Sequence, residues 1–125
     1  MFSIVLLEPR IPGNVGTIGR LAFALNCTLH LIKPYGFGAI TEKEVRRAGL
    51  DYWFELDVRE YENIEDFWSK NPFNDRHFLA TTKTKQVYFE ASYEVGDYFY
   101  FGREDAALPQ SILDKSLKTC ITIPM

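Results

Sequence analysis

The sequence has few of the residues that build metal centres, disulfide frameworks or membrane spans. It contains two cysteines, Cys27 and Cys120, and two histidines in 125 residues. The cysteines show no metal-ligand spacing, which favours free thiols in a reducing compartment over a disulfide framework. No apolar run reaches the roughly 18 residues that a membrane span requires. The first residues lack a basic leader and a cleavage site, so they do not resemble a signal peptide.

An excess of positive charge is also missing. The formal net charge is −3, with 14 lysines and arginines against 17 acidic residues. No global basic field therefore attracts nucleic acid, and any RNA contact must use a local patch or the combined surface of a dimer. The length fits one domain, residues 1–125, and the 46% of apolar residues are enough for a core.

Apolar runs separated by turn residues predict alternating strands and helices. The predicted strands are residues 3–7, 28–32, 52–58, 77–80, 98–101 and 119–123. Three predicted helices are residues 15–25, 64–70 and 109–115. A capping box at residues 41–44 predicts one more short helix, which ends at Gly49. Asn14 and Asn63 are the expected N-caps, and Asn26 can end the first helix in the left-handed conformation. This alternation predicts an α/β fold, a mostly parallel sheet with helices on both faces.

The aromatic run of residues 98–101 is the most informative predicted strand. Four consecutive aromatics are typical of a strand buried on both faces, inside a parallel sheet. Gly102 ends it, a charged loop with Glu104 follows, and Pro109 is suited to the first turn of a helix. Ligand sites in α/β proteins lie at the carboxyl ends of the strands, where Gly102 lets a ligand approach the backbone. An ordinary strand–helix connection is the alternative.

Two other predicted strand ends belong to the same edge of a parallel sheet. One is residues 80–83, beginning with Ala80, and the other is residues 121–125, which include Ile123. Their backbone groups can hold an adenine ring. The histidines at positions 30 and 77 have no cysteine or carboxylate partner at a useful spacing, so we expect core or surface histidines.

Glycines and arginines mark two further stretches. Residues 12–20 lie between a strand and a helix, but they do not match a dinucleotide fingerprint, because the second strand ends in Lys33 instead of an acidic residue. Arg20 in this stretch can be an ordinary solvated arginine. Arg46 and Arg47 either match the negative end of a short helix or form a phosphate-binding patch that Arg10, Lys33 and Lys43 extend.

Several of these pieces together resemble one family. The pattern Asn14-x-Gly16-x-x-x-Arg20 resembles the first motif of the SPOUT RNA methyltransferases, and residues 101–109 resemble the second. From residue 4 to residue 125 the chain is similar to one branch, the tRNA (cytidine/uridine-34-2′-O)-methyltransferases. The markers of that branch are residues 8–16, 29–37, 46–53 and 123–125.

The resemblance implies an enzyme that uses S-adenosyl-L-methionine to methylate the ribose 2′-hydroxyl of the tRNA wobble nucleotide. It implies a cytoplasmic homodimer with a trefoil knot. No metal is expected, because no cluster of metal ligands stands out in the sequence. Family cofactor contacts correspond to Ala80, Gly102 and Ile123, with Glu104 at the carboxylate position of the second motif. The catalytic arginine corresponds to Arg20, supported by Asn14, and Arg46 and Arg47 match the segment expected to contact tRNA.

The sequence departs from the family pattern at two places. The glycine that the family has before Leu-Pro is Ala107 here, and we expect this to crowd the cofactor edge slightly without loss of the site. The family also continues past Ile-Pro-Met into a third motif and a long helix, whereas this sequence ends at Met125. On this basis we expect an incomplete knot. A fragment and a naturally truncated product are both open.

Two functions from different classes follow for this sequence. In the enzyme, the Arg20 guanidinium stays protonated and is a poor base, so we expect it to hold a tRNA phosphate while that phosphate or water takes the proton. The site faces the dimer partner in this family, so Arg20 is expected to serve the other subunit's cofactor. The alternative is a catalytically silent module that binds tRNA or dimerises.

Overall fold

The fold is described from a computed structural model of the 125-residue chain. The structure describes residues 2–10, 12–36, 57–80, 93–102, 108–115 and 119–121. The predicted capping box at residues 41–44 and the short helix after it lie outside the described residues. So do residues 52–56 of the predicted third strand, residues 81–92 and residues 122–125.

The described residues form six strands and three helices. The strands are β1 (Ser3–Leu7), β2 (Thr28–Ile32), β3 (Val58–Tyr61), β4 (His77–Ala80), β5 (Tyr98–Phe101) and β6 (Cys120–Ile121). The helices are α1 (Pro12–Ala24), α2 (Ile64–Lys70) and α3 (Gln110–Leu113). This confirms the predicted α/β class.

The strands form one parallel sheet in the order β3-β2-β1-β5-β4-β6. Its centre is the pair β1 and β5, in which Leu6 lies opposite Phe101. The chain adds β2 and β3 on one side of β1, and the later strands occupy the other side. The β1–β5 pair is therefore the point where the strand order reverses, which is where open α/β sheets form their ligand crevices.

Side chains alternate between the two faces of the sheet, and each face carries its own core. On one face α1 packs through Val15, Ile18 and Ala22 against Leu6, Leu29 and Leu31. On the other, α2 and α3 pack on the strands, and this larger core comprises Val5, Leu7, Ile32, Tyr61, Phe67, Leu79, Tyr100, Leu108, Ile112, Leu113 and Cys120. Helices thus cover both faces, as the sequence predicts, because apolar side chains occur on both sides of the central strands.

Several local predictions are confirmed. The structure reproduces the predicted bounds of β1, β2, β4 and β5, and the helix α2. Asn63 caps α2, because its side-chain oxygen accepts the N–H of Asp66 at 2.7 Å. Asn26 follows α1 with a φ of 56°, in the left-handed region where asparagine is tolerated.

Other predictions are wrong in their boundaries. α1 begins at Pro12, so Asn14 lies inside its first turn and is not the N-cap. Proline is compatible with the first helical position because its missing N–H would have no partner there. α3 begins at Gln110 and is only four residues long, and Pro109 is its N-cap residue with extended ψ.

Two strand predictions need a similar correction. β3 begins at Val58, where the predicted strand of residues 52–58 ends. The described part of β6 is Cys120–Ile121, since Thr119 is not a strand residue. In β5, only Tyr100 is fully buried, and the other three aromatics are partly buried.

Candidate functional site

Ala80 and Gly102 lie side by side at the carboxyl edge of the sheet. β4 pairs with β5 so that Leu79 is opposite Tyr100, which places Ala80 at the level of Phe101 and one residue before Gly102. β6 runs to the same edge on the other side of β4, with Ile121 opposite Ala80. Both Ala80 and Gly102 are partly exposed and have no side chain beyond Cβ. A flat ligand can therefore approach their backbone N–H and C=O groups.

The loop after β1 reaches this edge in an unusual conformation. Glu8, its first residue, has a φ of 49°, and non-glycine residues in this region carry about 1–3 kcal/mol of strain. The following proline adds to the cost, because a residue before proline is normally extended. The Glu8 N–H donates to the Ile32 carbonyl at 2.9 Å, which holds the turn against the end of β2.

Gly36 fixes the same loop from the other side. Its N–H donates to the Pro9 carbonyl at 3.0 Å. A Cβ atom at position 36 would lie 3.0 Å from the Arg10 Cα and even closer to Arg10 Cδ. Only glycine allows this approach, so the loops that follow β1 and β2 form one interlocked unit at the carboxyl edge.

Arg20 lies away from this edge on an exposed part of α1. α1 runs from the carboxyl edge towards the amino edge, and Arg20 is eight residues after Pro12, about 12 Å along the helix axis. Its neighbour Leu21 is 54% exposed, and Leu25, just past the helix, is 62% exposed. Asn14 is near the start of the same helix. The structure therefore places Arg20 about 12 Å along α1 from the edge that carries Ala80 and Gly102, whereas Asn14 is in the first turn, near that edge.

Two residues of the predicted basic patch lie at the carboxyl edge. Arg10 is exposed, and Lys33 is partly buried with its Nζ 3.4 Å from a Glu62 carboxylate oxygen. Lys33 is thus already paired with an acid. Five predicted site or patch residues lie outside the described residues: Lys43, Arg46, Arg47, Glu104 and Ile123.

A buried network of histidine, tyrosine and tryptophan lies beneath α2. The Trp68 indole N–H donates to the Tyr100 hydroxyl at 2.9 Å, and that hydroxyl is 2.6 Å from His77 Nδ1. Since the Tyr100 oxygen accepts from Trp68, its own O–H is available to donate to a neutral His77. A similar bond joins the Tyr61 hydroxyl to His30 Nδ1 at 2.9 Å.

Burial keeps both histidines neutral. It lowers the pKa of His77 to about 4 and, with the Arg59 cation as a smaller cause, that of His30 to about 4. The Tyr98 ring stacks on His77 with the ring centres 4.4 Å apart. Both histidines are about 1% exposed. They are core residues, which is one of the two alternatives that the sequence leaves open, and their role is to join the sheet to α2.

The sequence marks Glu8 only as part of the family pattern at residues 8–16, with no role of its own, and it does not indicate this network. The signal for Glu8 was its place between the end of a strand and a proline. The signal for the network was tyrosine and histidine at alternate positions of neighbouring strands, where a polar tip must find a partner once the ring is buried. Strand order is needed to pair His77 with Tyr100.

Two features are absent from the described part of the chain. No group of three histidine, cysteine or acidic side chains is close enough together to hold a metal ion. No helix among those residues is long and apolar enough to cross a membrane. Both cysteines are buried, and neither forms a disulfide bond.

Known proteins resemble this chain over its whole length. The SpoU rRNA methylase family matches residues 1–125. The tRNA (cytidine(34)-2′-O)-methyltransferase of Escherichia coli K12 is 43% identical over 127 aligned residues, which cover 100% of this chain and 79% of the relative. The protein of the same name from Yersinia pestis is 41% identical over 130 residues, covering 100% of this chain and 80% of the relative.

A solved structure agrees with both relatives. It is described as "Structural insights into the 2-OH methylation of C/U34 on tRNA" and superimposes with a TM-score of 0.90 at 37% identity, covering 100% of this chain and 80% of that one. The resemblance to SPOUT methyltransferases that the sequence motifs indicate is confirmed. The chain belongs to the SpoU methylase family and, within it, to the tRNA (cytidine(34)-2′-O)-methyltransferases.

Proposed function

We propose that this protein methylates the ribose 2′-hydroxyl of nucleotide 34 in tRNA, with S-adenosyl-L-methionine as the methyl donor. The observation that carries the proposal is the identity of about 40% over the whole chain to tRNA (cytidine(34)-2′-O)-methyltransferases. The geometry supports it, because Ala80 and Gly102, two of the residues that correspond to the family's cofactor contacts, lie at the ends of neighbouring strands.

The carboxyl edge of β4, β5 and β6 suits the adenosine part of this cofactor. Ala80 and Gly102 offer backbone donors and acceptors without bulky side chains, which matches a neutral, flat base. Ile123 follows β6 in the sequence by two residues. It is proposed to form a cofactor cradle together with Ala80 and Gly102, with Glu104 at the rim of this cradle. When bound, the cofactor supplies a methyl group activated by a sulfonium, so the protein has to position and orient the acceptor.

Arg20 is proposed to position the RNA. Its guanidinium stays protonated, so it can hold a phosphate in a bidentate contact and orient the hydroxyl, but it cannot take the proton. Asn14, in the first turn of the same helix, is proposed to support it.

We further propose that the protein acts as a homodimer in which Arg20 serves the partner's site. The position of Arg20, about 12 Å along α1 from its own carboxyl edge, supports this arrangement. The exposed leucines at positions 21 and 25 provide apolar area for such an interface. Arg46 and Arg47 are proposed to contact tRNA, and the cytoplasm is the proposed location.

Two measurements test this function. Calorimetric titration with S-adenosylhomocysteine should show micromolar binding. Incubation with radiolabelled S-adenosylmethionine should label a tRNA with an unmodified nucleotide 34 and not the same tRNA already 2′-O-methylated there. A folded protein that binds tRNA but neither binds the cofactor product nor transfers methyl would instead be a silent RNA-binding module.

A further inference from the structure

The end of β1 holds a carboxylate in a strained and firmly fixed backbone. Glu8 has a φ of 49° before a proline, and hydrogen bonds on both sides keep it there, from its own N–H to Ile32 and from Gly36 to Pro9. Residues in such conformations persist only where the surroundings impose them, and they cluster at functional sites. The strain therefore directs attention to what the Glu8 side chain can reach.

Glu8 lies directly beside the proposed cofactor cradle. β1 and β5 are neighbours, and Leu6 is opposite Phe101, so Leu7 lies at the level of Gly102 and Glu8 is one residue further along the chain. Neighbouring strands are about 4.8 Å apart, and a glutamate side chain spans that distance. The helix that follows β1, α1, packs on one face of the sheet, and the helix that follows β5, α3, packs on the other.

The Glu8 carboxylate is available for chemistry. Among the residues that the structure describes, no side-chain hydrogen bond or ion pair to it is found, and the residue is partly exposed. Other carboxylates are occupied: Glu60 accepts the Tyr35 hydroxyl at 2.7 Å, and Asp97 is bound by the Arg76 guanidinium. A half-buried carboxylate beside a reacting group can accept a proton and later release it to water.

We propose that Glu8 is the proton acceptor of the methyl transfer, a role that rests on the proposed function. The 2′-oxygen forms its bond to the methyl carbon as the carbon–sulfur bond breaks, and the hydroxyl proton passes to the Glu8 carboxylate. A sulfonium cation and a carboxylate anion become a neutral thioether and a neutral acid, so charge balances. Glu8 then takes the proton in place of an RNA phosphate or water, while Arg20 keeps its positioning role.

Three variants separate this role from a structural one. Glu8→Gln keeps the shape and removes the charge. Glu8→Asp keeps the charge, tolerates the left-handed conformation and withdraws the carboxylate by one methylene. Glu94→Gln is the matched control, because Glu94 is an exposed carboxylate at the opposite edge of the sheet whose contact with Arg76 is 3.6 Å long.

The kinetic test is methylation at saturating tRNA and cofactor. Removing a general base costs about 100-fold or more, so kcat of Glu8→Gln should fall by at least about 100-fold. Glu8→Asp should lie between it and the wild type, and Glu94→Gln should match the wild type. The affinity of Glu8→Gln for S-adenosylhomocysteine should stay within about twofold of wild type, as expected if the cofactor cradle is intact.

The second test is binding without turnover. In the presence of S-adenosylhomocysteine, wild type should bind an anticodon stem-loop with a 2′-hydroxyl at nucleotide 34 about tenfold more tightly than the 2′-deoxy analogue, because a carboxylate accepts that hydroxyl strongly. In Glu8→Gln this preference should shrink to below about threefold. An unchanged preference, a kcat near wild type, or an equal loss of cofactor affinity would each overturn the role of Glu8. Absence of methylation by the folded wild type would instead reject the proposed function.

Discussion

Replacing Tyr100 by phenylalanine removes a single oxygen atom from the buried network between β4, β5 and α2. Tyr100 is completely buried, and its hydroxyl links the Trp68 indole N–H at 2.9 Å to His77 Nδ1 at 2.6 Å. The substitution leaves the ring in place, so the apolar packing of the core changes little. The loss of stability therefore reports the two hydrogen bonds.

The two partners should contribute unequally. His77 is 1% exposed, so its Nδ1 loses its partner with no water to replace it, and a buried unsatisfied polar group costs about 1–3 kcal/mol. Trp68 is only partly buried, and its N–H can turn towards solvent at a smaller cost. We expect the free energy of unfolding to fall by about 2 kcal/mol, or roughly 30-fold in the folding equilibrium.

Urea denaturation followed by circular dichroism at fixed protein concentration measures this loss. The matched control is Tyr98→Phe on the same strand, which removes a partly exposed hydroxyl that donates to Asn71 Oδ1 at 2.8 Å. We expect it to cost less than about 1 kcal/mol, with an unchanged denaturant slope in both variants. Equal losses in the two variants, or less than about 0.5 kcal/mol for Tyr100→Phe, would refute the reasoning.

Three other predictions follow from the structure. The histidines at positions 30 and 77 have pKa values of about 4 when folded and about 6.5 when unfolded, so the unfolded chain binds more protons between these values. Stability is therefore lost as the pH falls through this window, and urea denaturation should give a free energy of unfolding about 4 kcal/mol lower at pH 5 than at pH 7, whereas equal values would contradict their neutral burial. Gly36→Ala should displace the loop after β1 and lower kcat by about tenfold or more, because a small misplacement of a catalytic group lowers the rate steeply. Methylation kinetics measure this loss. Gly96→Ala, at the opposite edge of the sheet, is the control, and an equal loss there would show a general effect of replacing glycine. Arg20→Lys should lower turnover at saturating tRNA by at least about tenfold, since lysine cannot make a bidentate phosphate contact, and full turnover would eliminate the positioning role.

The parts of the fold that the sequence predicts are those in which local pattern and tertiary environment agree. β1 and β2 are short apolar runs between turn residues, and the structure gives both their predicted bounds. The position of β3 differs from the prediction. Its residues Arg59 and Glu60 are charged and exposed, because β3 is an edge strand. The residues before it are richer in aromatic and apolar side chains, so the pattern predicts the strand at residues 52–58 instead. Local hydrophobicity does not distinguish an edge strand from a loop.

The site is predictable in its residue types and not in its arrangement. Glycine after an aromatic strand and alanine at the end of another indicate strand ends, but their adjacency depends on β4 and β5 being neighbours. The conformation of Glu8 is unreadable from sequence, because a residue before proline is expected to be extended. Tertiary hydrogen bonds override that preference here.

The pairing of β1 with β5 also determines how the chain can fold. Ser3 lies opposite Tyr98, so the middle of the sheet joins strands from nearly opposite ends of the sequence. During synthesis β1, β2 and β3 can associate first, whereas the β1–β5 pair can form only after β5 has emerged. Contacts between residues so distant in sequence form slowly. The proposed cofactor cradle lies beside this strand pair, which forms late. A ligand bound there would stabilise only the joined chain, so its concentration should influence how much newly made protein completes folding.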